Sequence, residues 1–215
     1  MFLMEKDCIL YRVTNDFQID KLHSITPKRI TYDKYDISYI NNQIIRISYK
    51  WLDPIKVQEK IISREPKSVV LIYFVQRKII CCFGSSESYI GFVISKLEKK
   101  LATHLEKINL FDICKKKYIN EDNWESDLVS IYLLQKKPNS FDDYESTRVK
   151  KVKIKDIGSA ELRKHLINGE VTSFTYYFNE RKTYFYLDSE SVVSFPDVVK
   201  EEVVYHVIES LSDIV

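Results

Sequence analysis

Residues 68–83 read SVVLIYFVQRKIICCF, two β-rich segments on either side of a polar turn near Gln76-Arg77. Runs rich in Val, Ile, Tyr and Phe around a short polar break are the signature of a β-hairpin. Upstream, DISYINNQIIRISYKW (36–51) alternates apolar and polar residues around Asn41-Asn42, which predicts a second hairpin. Between the two lies LDPIKVQEKIISRE (52–65). Asp53 as N-cap, Pro54 at the first helical position and Val57, Ile61 and Ile62 on one face predict a short helix there. Downstream, residues 85–108 carry Ile90, Val93, Ile94, Leu97, Leu101, Leu105 and Ile108 at helical spacing, which predicts one long amphipathic helix.

The second half runs in the same order. DLVSIYLLQKK (127–137) and STRVKKVKIKDI (146–157) are expected strands separated by PNSFDDYE (138–145). GSAELRKHLING (158–169) is an expected short helix starting near Ser159 and stopping at Gly169. EVTSFTYYFNERKTYFYLD (170–188) predicts two strands around a turn at Asn179-Glu180, and residues 196–214 place Val199, Val203, Val207 and Leu211 on one helical face. The hexapeptides YFVQRK (73–78) and YFNERK (177–182) are expected to be equivalent hairpin turns. The expected fold is therefore α+β: two pseudo-repeated hairpin-helix-hairpin-helix units, residues 1–108 and 127–215, joined by 109–126, with helices packed on one face of an antiparallel sheet. CILYRV (8–13) is expected to add a strand. The alternation also leaves each sheet a second face that is far from purely polar, so a partner, a second copy of the chain or a ligand is expected to cover it.

Composition excludes several classes. The chain has 215 residues, 45% hydrophobic and 30% charged, with four glycines and five prolines, an ordinary mix for a folded domain without long disordered linkers. A net charge of +2 does not by itself imply nucleic acid or membrane. No apolar run has the length of a membrane span, and the start MFLMEKDCILYRV lacks a signal-peptide pattern. Cys8, Cys81, Cys82 and Cys114 form no CxxC pair and have no histidine at zinc-ligand spacing, so small buried thiols, no metal and a reducing intracellular compartment are expected.

No phosphate-binding glycine loop, GxSxG or HExxH occurs, and His23, His104, His165 and His206 are isolated in sequence, so no catalytic residue or cofactor is expected. One weak enzyme reading remains. Asp127 followed by a strand ending in Gln135-Lys136-Lys137 has the layout of a metal-dependent nuclease strand, with one acid where Mg²⁺ binding needs more. Lys151, Lys153 and Lys155 alternate with Val152 and Ile154, a lysine ladder suited either to tracking phosphates or to guarding an edge strand. Tyr176, Tyr177, Tyr184 and Tyr186 lie close to Arg181 and Lys182, a mixture that serves base stacking or a protein hot spot. The helical stretches differ in charge, KLEKKLATHLEK (96–107) basic and 197–213 acidic, which suits pairing across an interface.

REPKSVVLIYFVQRKIICCFGSSES (64–88) resembles the middle of one repeat of the TATA-box-binding proteins through Arg64, Glu65, Pro66, Leu71, Ile72, Lys78, Cys81, Gly84 and Glu87. The resemblance covers about one eighth of the chain and implies an internal duplication with helices on the convex side of a curved sheet. The family's two DNA-kinking phenylalanines would fall at Tyr73 and Lys56, and where the family has a strand before Arg64 this sequence predicts a helix. The implication is thus one of architecture and not of promoter binding. The expected function is non-catalytic binding of another protein, as adaptor or assembly subunit, through a sheet face carrying Tyr73, Arg77, Tyr177 and Arg181. The alternative is nucleic-acid binding through Lys151, Lys153, Lys155 and Lys182.

Overall fold

A computed structural model describes residues 6–23, 33–57, 60–120, 124–136 and 147–215. The protein is mixed α and β, with antiparallel sheet and five α-helices among the described residues. The chain divides into two compact units, Met1–Ile108 and Asn109–Val215. The segment 109–126 contributes a helix to the second unit.

Unit one contains β1 (Asp7–Val13), α1 (Asp20–His23), β2 (Lys34–Tyr39), β3 (Ile44–Val57), β4 (Lys60–Phe74), β5 (Ile79–Gly84), α2 (Glu87–Leu101) and β6 (Leu105–Lys107). Its strands run in the order β2-β3-β4-β5-β1, with β6 also paired to β1. The β2–β3 turn is fixed by Asn41, whose Oδ1 accepts the backbone N–H groups of Gln43 and Ile44, each at 2.8 Å. A side chain that closes its own turn in this way is the reason asparagine marks such positions.

The helix expected over 52–65 does not form. Residues 44–57 and 60–74 are instead one long hairpin, with Asp53 opposite Glu65 and Pro54 opposite Arg64. The helix-start signal at Asp53-Pro54 is local, whereas the ladder gains a partner residue at every step and overrides it. The two prolines are tolerated because β2 begins opposite Lys50 and β5 ends opposite Val69, so both lie in a ribbon of two strands only.

The long helix is also shorter than its periodicity predicts. Ser86 caps α2 by accepting the Tyr89 N–H at 3.3 Å, and the helix stops at Leu101 because Ala102 turns left-handed (φ 51°, ψ 38°). Leu105 and Ile108 keep the apolar stripe but are buried from β6 and beyond it. Helix α2 lies against the sheet face bearing Tyr49 and Trp51: the Trp51 ring meets Tyr89 at 5.7 Å and Phe92 at 5.2 Å. Gly84 allows the closest approach, since a Cβ there would stand 3.0 Å from Ile90 Cγ1 and 3.2 Å from Val69 Cγ2. Below α2 a charge is buried with its partner: Lys96 Nζ reaches Asp33 Oδ2 at 2.8 Å and donates to the Tyr49 hydroxyl at 2.6 Å. On the opposite face Cys8, Leu10, Ile72, Phe74, Cys81 and Phe83 are buried too.

Unit two contains α3 (Leu110–Ile119), β7 (Ser126–Lys136), β8 (Thr147–Lys153), α4 (Ser159–Ile167), β9 (Val171–Phe178), β10 (Thr183–Asp188), β11 (Val192–Ser194) and α5 (Glu201–Asp213). The strand order is β11-β10-β9-β7-β8. Phe174, Tyr176, Phe178, Phe185, Leu187 and Val193 form the buried face. Helix α3 stacks Phe111 on Phe174 at 4.6 Å, and Trp124, edge-on to Tyr176 and Phe185, donates its indole N–H to Ser210 of α5 at 3.1 Å. Gly169 ends the α4 segment at φ +71°, as its position predicts. Val199 lies in the turn ahead of α5 and not in the helix. The stretch 138–145 and Lys137 lie outside the described residues.

The two hexapeptides adopt the same local form. Residues 75–78 and 179–182 are four-residue turns closed by the pairs Phe74–Ile79 and Phe178–Thr183. Each ends on a left-handed lysine, Lys78 at φ 53° and Lys182 at φ 50°. Four-residue hairpin loops built on a helical turn need such a residue to return the chain to the ladder.

Candidate functional site

Alternation along β7–β10 sends one set of side chains into the core of unit two and the other set outward. The outward set is continuous across four strands in register. Leu134 opposes Val149, Tyr132 opposes Lys151 and Ser130 opposes Lys153 on β7 and β8. Tyr177 opposes Tyr184 and Thr175 opposes Tyr186 on β9 and β10. Ser130 opposite Thr175 joins the two pairs into one face.

This face is apolar, aromatic and basic together. Leu134 is 41% exposed, Val149 54%, Tyr184 46% and Tyr186 39%. Tyr177 and Tyr184 meet with ring centroids 4.9 Å apart, and the Lys151 ammonium sits over the Tyr132 ring at 5.6 Å. Ser130 and Thr175 lie buried between the larger side chains, their hydroxyls without a hydrogen-bond partner among the described residues. Asp127 shares the face, and its carboxylate accepts the Asn179 amide N–H at 2.9 Å.

The residues singled out in sequence are distributed unevenly. Tyr177, Lys151 and Lys153 come together on this face. Lys182 is exposed at the tip of the β9–β10 hairpin, as is Arg181, which donates to His206 Nε2 at 2.7 Å and lies 3.4 Å from Glu180. Lys155 leaves the ladder: β8 ends at Lys153, and Ile154–Asp156 form a 3-10 turn, so only two of the three lysines share a strand face. Tyr73 is in unit one, only 6% exposed and packed on Phe17 at 4.9 Å, so it presents no surface. Arg77 is half-buried in the adjoining turn.

Sequence reasoning missed a concave site in unit two. A cavity of about 660 Å³ is bounded by α3, the start of α4 and the start of β7. Lys117, Arg163, Ser126 and Trp124 line it, and none belongs to a motif. The only signals were the run Lys115-Lys116-Lys117 and the helix start at Gly158-Ser159, both ordinary features of a solvated surface.

Burial raises three of the four thiols. It pushes the Cys114 thiol up to about 12 and raises those of Cys81 and Cys82 well above the ordinary range. All four cysteines are unpaired and buried. Among the described residues no group of three or more His, Cys, Asp or Glu is arranged to hold a metal ion, and no helix is long and apolar enough to cross a membrane. No protein-family model and no curated protein sequence matches the chain.

Proposed function

We propose that the protein is a non-catalytic binding protein, an adaptor or assembly subunit, that recognises another protein through the outward face of β7–β10. One observation carries this reading. Four of the nine large hydrophobic side chains exposed among the described residues, Leu134, Val149, Tyr184 and Tyr186, lie on that single face. Scattered exposed hydrophobics are ordinary, but two pairs of them on one face, with Tyr132 and Tyr177 between, favour an interaction surface. Tyrosine suits it, since it contributes large contact area at low entropic cost and recurs at binding hot spots.

A second reading rests on Lys151 and Lys153, which stand on the same face beside Tyr132. Aromatic rings on an open sheet with cations at its edge are the equipment for stacking single-stranded bases. Fluorescence anisotropy of labelled single- and double-stranded DNA and RNA separates the two. Protein recognition predicts no saturable binding at micromolar protein. Saturable binding that weakens steeply with salt and is lost in Lys151→Gln/Lys153→Gln would replace it with the nucleic-acid reading.

The two units are read as pseudo-repeats, each a hairpin with a four-residue turn followed by an amphipathic helix seated on one sheet face. The matching left-handed lysines at 78 and 182 and the apolar stripes of α2 and α5 support this. The repeat extends no further in detail, because α4 separates the hairpins of unit two and unit one has no counterpart. The likeness of residues 64–88 to the TATA-box-binding repeat belongs to the same architectural proposal. Four buried thiols support residence in a reducing compartment.

A further inference from the structure

Strand β8 closes the order β11-β10-β9-β7-β8: it pairs with β7 on one side and, among the described residues, with no strand on the other. A strand in that position offers the N–H and C=O groups of alternate residues to a further strand. Such edges are commonly blunted by proline or by a bulge. β8 has neither: its seven residues contain no proline and run in unbroken register with β7 from Ser130–Lys153 to Lys136–Thr147. What guards this edge is charge alone.

That charge has one sign. Four of the seven residues, Arg148, Lys150, Lys151 and Lys153, are cations and none is an acid. All four are exposed, and none makes an ion pair with another described residue. The residues of β7 opposite them, from Ser130 to Gln135, are uncharged, so nothing in the ladder neutralises the edge. Alternation places Lys151 and Lys153 on one face of β8 and Arg148 and Lys150 on the other, so a strand with acids on either face meets two cations. Val149, 54% exposed, and Leu134 opposite it, 41% exposed, add apolar contact beside the edge.

We infer that the open edge of β8 takes up an extended acidic segment of a partner protein as an added strand. The inference rests on the proposal that this part of unit two recognises a protein, and it names the chemistry of what is recognised. Ladder hydrogen bonds supply affinity, and the cations select the partner. Like charges directly opposite are destabilising, so the lysines that bar the β8 of a second copy favour an acidic strand. Nor does β2, the edge strand of unit one, fit: its one acid, Asp36, is held by Lys34 at 2.7 Å and Lys50 at 3.5 Å. A nucleic-acid backbone would neutralise the cations, but its phosphate oxygens only accept and leave the edge carbonyls of β8 without donors.

Fluorescence anisotropy of the whole chain with a labelled ten-residue peptide alternating glutamate and valine tests the inference, beside the matching lysine–valine peptide and decathymidylate. The glutamate peptide is expected to saturate, to weaken as salt rises, and to slow amide hydrogen exchange over residues 147–153. Lys150→Glu/Lys151→Glu/Lys153→Glu, with circular dichroism unchanged, is expected to weaken it about tenfold or more and to bind the lysine peptide instead. The inference is overturned if the glutamate peptide fails to saturate by about 1 mM, or binds without slowing exchange over 147–153. Tighter binding of decathymidylate than of the peptide would overturn it in favour of nucleic acid. Failure of the peptide while partner capture is still lost in Tyr184→Asp/Tyr186→Asp would overturn the added strand alone and leave the outward face as the recognition surface.

Discussion

Replacing Ala102 with glycine tests where helix α2 ends, and the sign of the effect is the readout. Ala102 is exposed and holds the left-handed conformation, φ 51° and ψ 38°, that terminates the helix. An L-residue pays about 1–2 kcal/mol for that conformation because its Cβ crowds the following carbonyl. Glycine removes this cost but gives the unfolded chain more freedom, which takes back about 0.4–1 kcal/mol. The net expectation is a gain of about 0.5–1 kcal/mol. For a chain of this length that corresponds to a rise of about 1–4 °C in Tm. The opposite geometry makes the opposite forecast. Were the helix continuous to Ile108, as the stripe Leu97, Leu101, Leu105 and Ile108 suggests, Ala102 would be a mid-helix residue. Glycine there would cost about 1 kcal/mol. Thermal and urea unfolding followed by far-ultraviolet circular dichroism measure the difference. A lowered Tm and urea midpoint for Ala102→Gly would refute the chain reversal at 102 and the separate strand β6.

Gly84→Ala is expected to destabilise by about 1–3 kcal/mol in the same urea assay, because the new methyl would meet Ile90 and Val69 at 3.0 and 3.2 Å. Lys96→Met withdraws the ammonium from Asp33, whose side chain is 5% exposed, and is expected to cost about 3 kcal/mol, a loss measurable as a lower urea midpoint. Thiol titration with a chromogenic disulfide reagent at pH 8 is expected to find no fast-reacting cysteine in the native protein and four after denaturation, since all four are buried away from the reagent and burial also raises the thiols of Cys81, Cys82 and Cys114.

The strands of this protein were legible wherever alternation was carried by large side chains. SVVLIYF, RKIICCF and TSFTYYF give their hairpins directly, and Asn41 marks the β2–β3 turn and Gly169 the end of α4 through chemistry that a sequence displays. What misled was local grammar overruled from a distance. Asp53-Pro54 is a sound helix start, yet the chain around it pairs with residues 60–66 and stays extended. Leu105 and Ile108 continue a helical period, but a stripe of buried positions does not reveal that an alanine without Gly or Pro beside it turns left-handed. Lys155 failed for a similar reason, since the two-residue period of 148–155 gives no sign that β8 ends at Lys153. The outward face was half legible: Tyr177, Lys151 and Lys153 were found, while Tyr132, Leu134 and Val149 join them only through the β7–β8 register. The cavity was not legible at all, because Lys117, Ser126 and Arg163 converge from three elements.

The central claim is that the outward face of β7–β10 recognises a protein partner, and comparative affinity capture from cells that produce the chain tests it most directly. Three forms are compared: the unaltered chain, Tyr184→Asp/Tyr186→Asp, and Tyr39→Asp, a control at a 62% exposed position of unit one. Loss of two hot-spot tyrosines is expected to weaken the complex by about 2 kcal/mol or more, roughly thirtyfold. The account predicts a partner recovered with the unaltered chain and with Tyr39→Asp and lost with the double variant, whose circular dichroism is unchanged. Recovery of the same proteins by all three forms would contradict it.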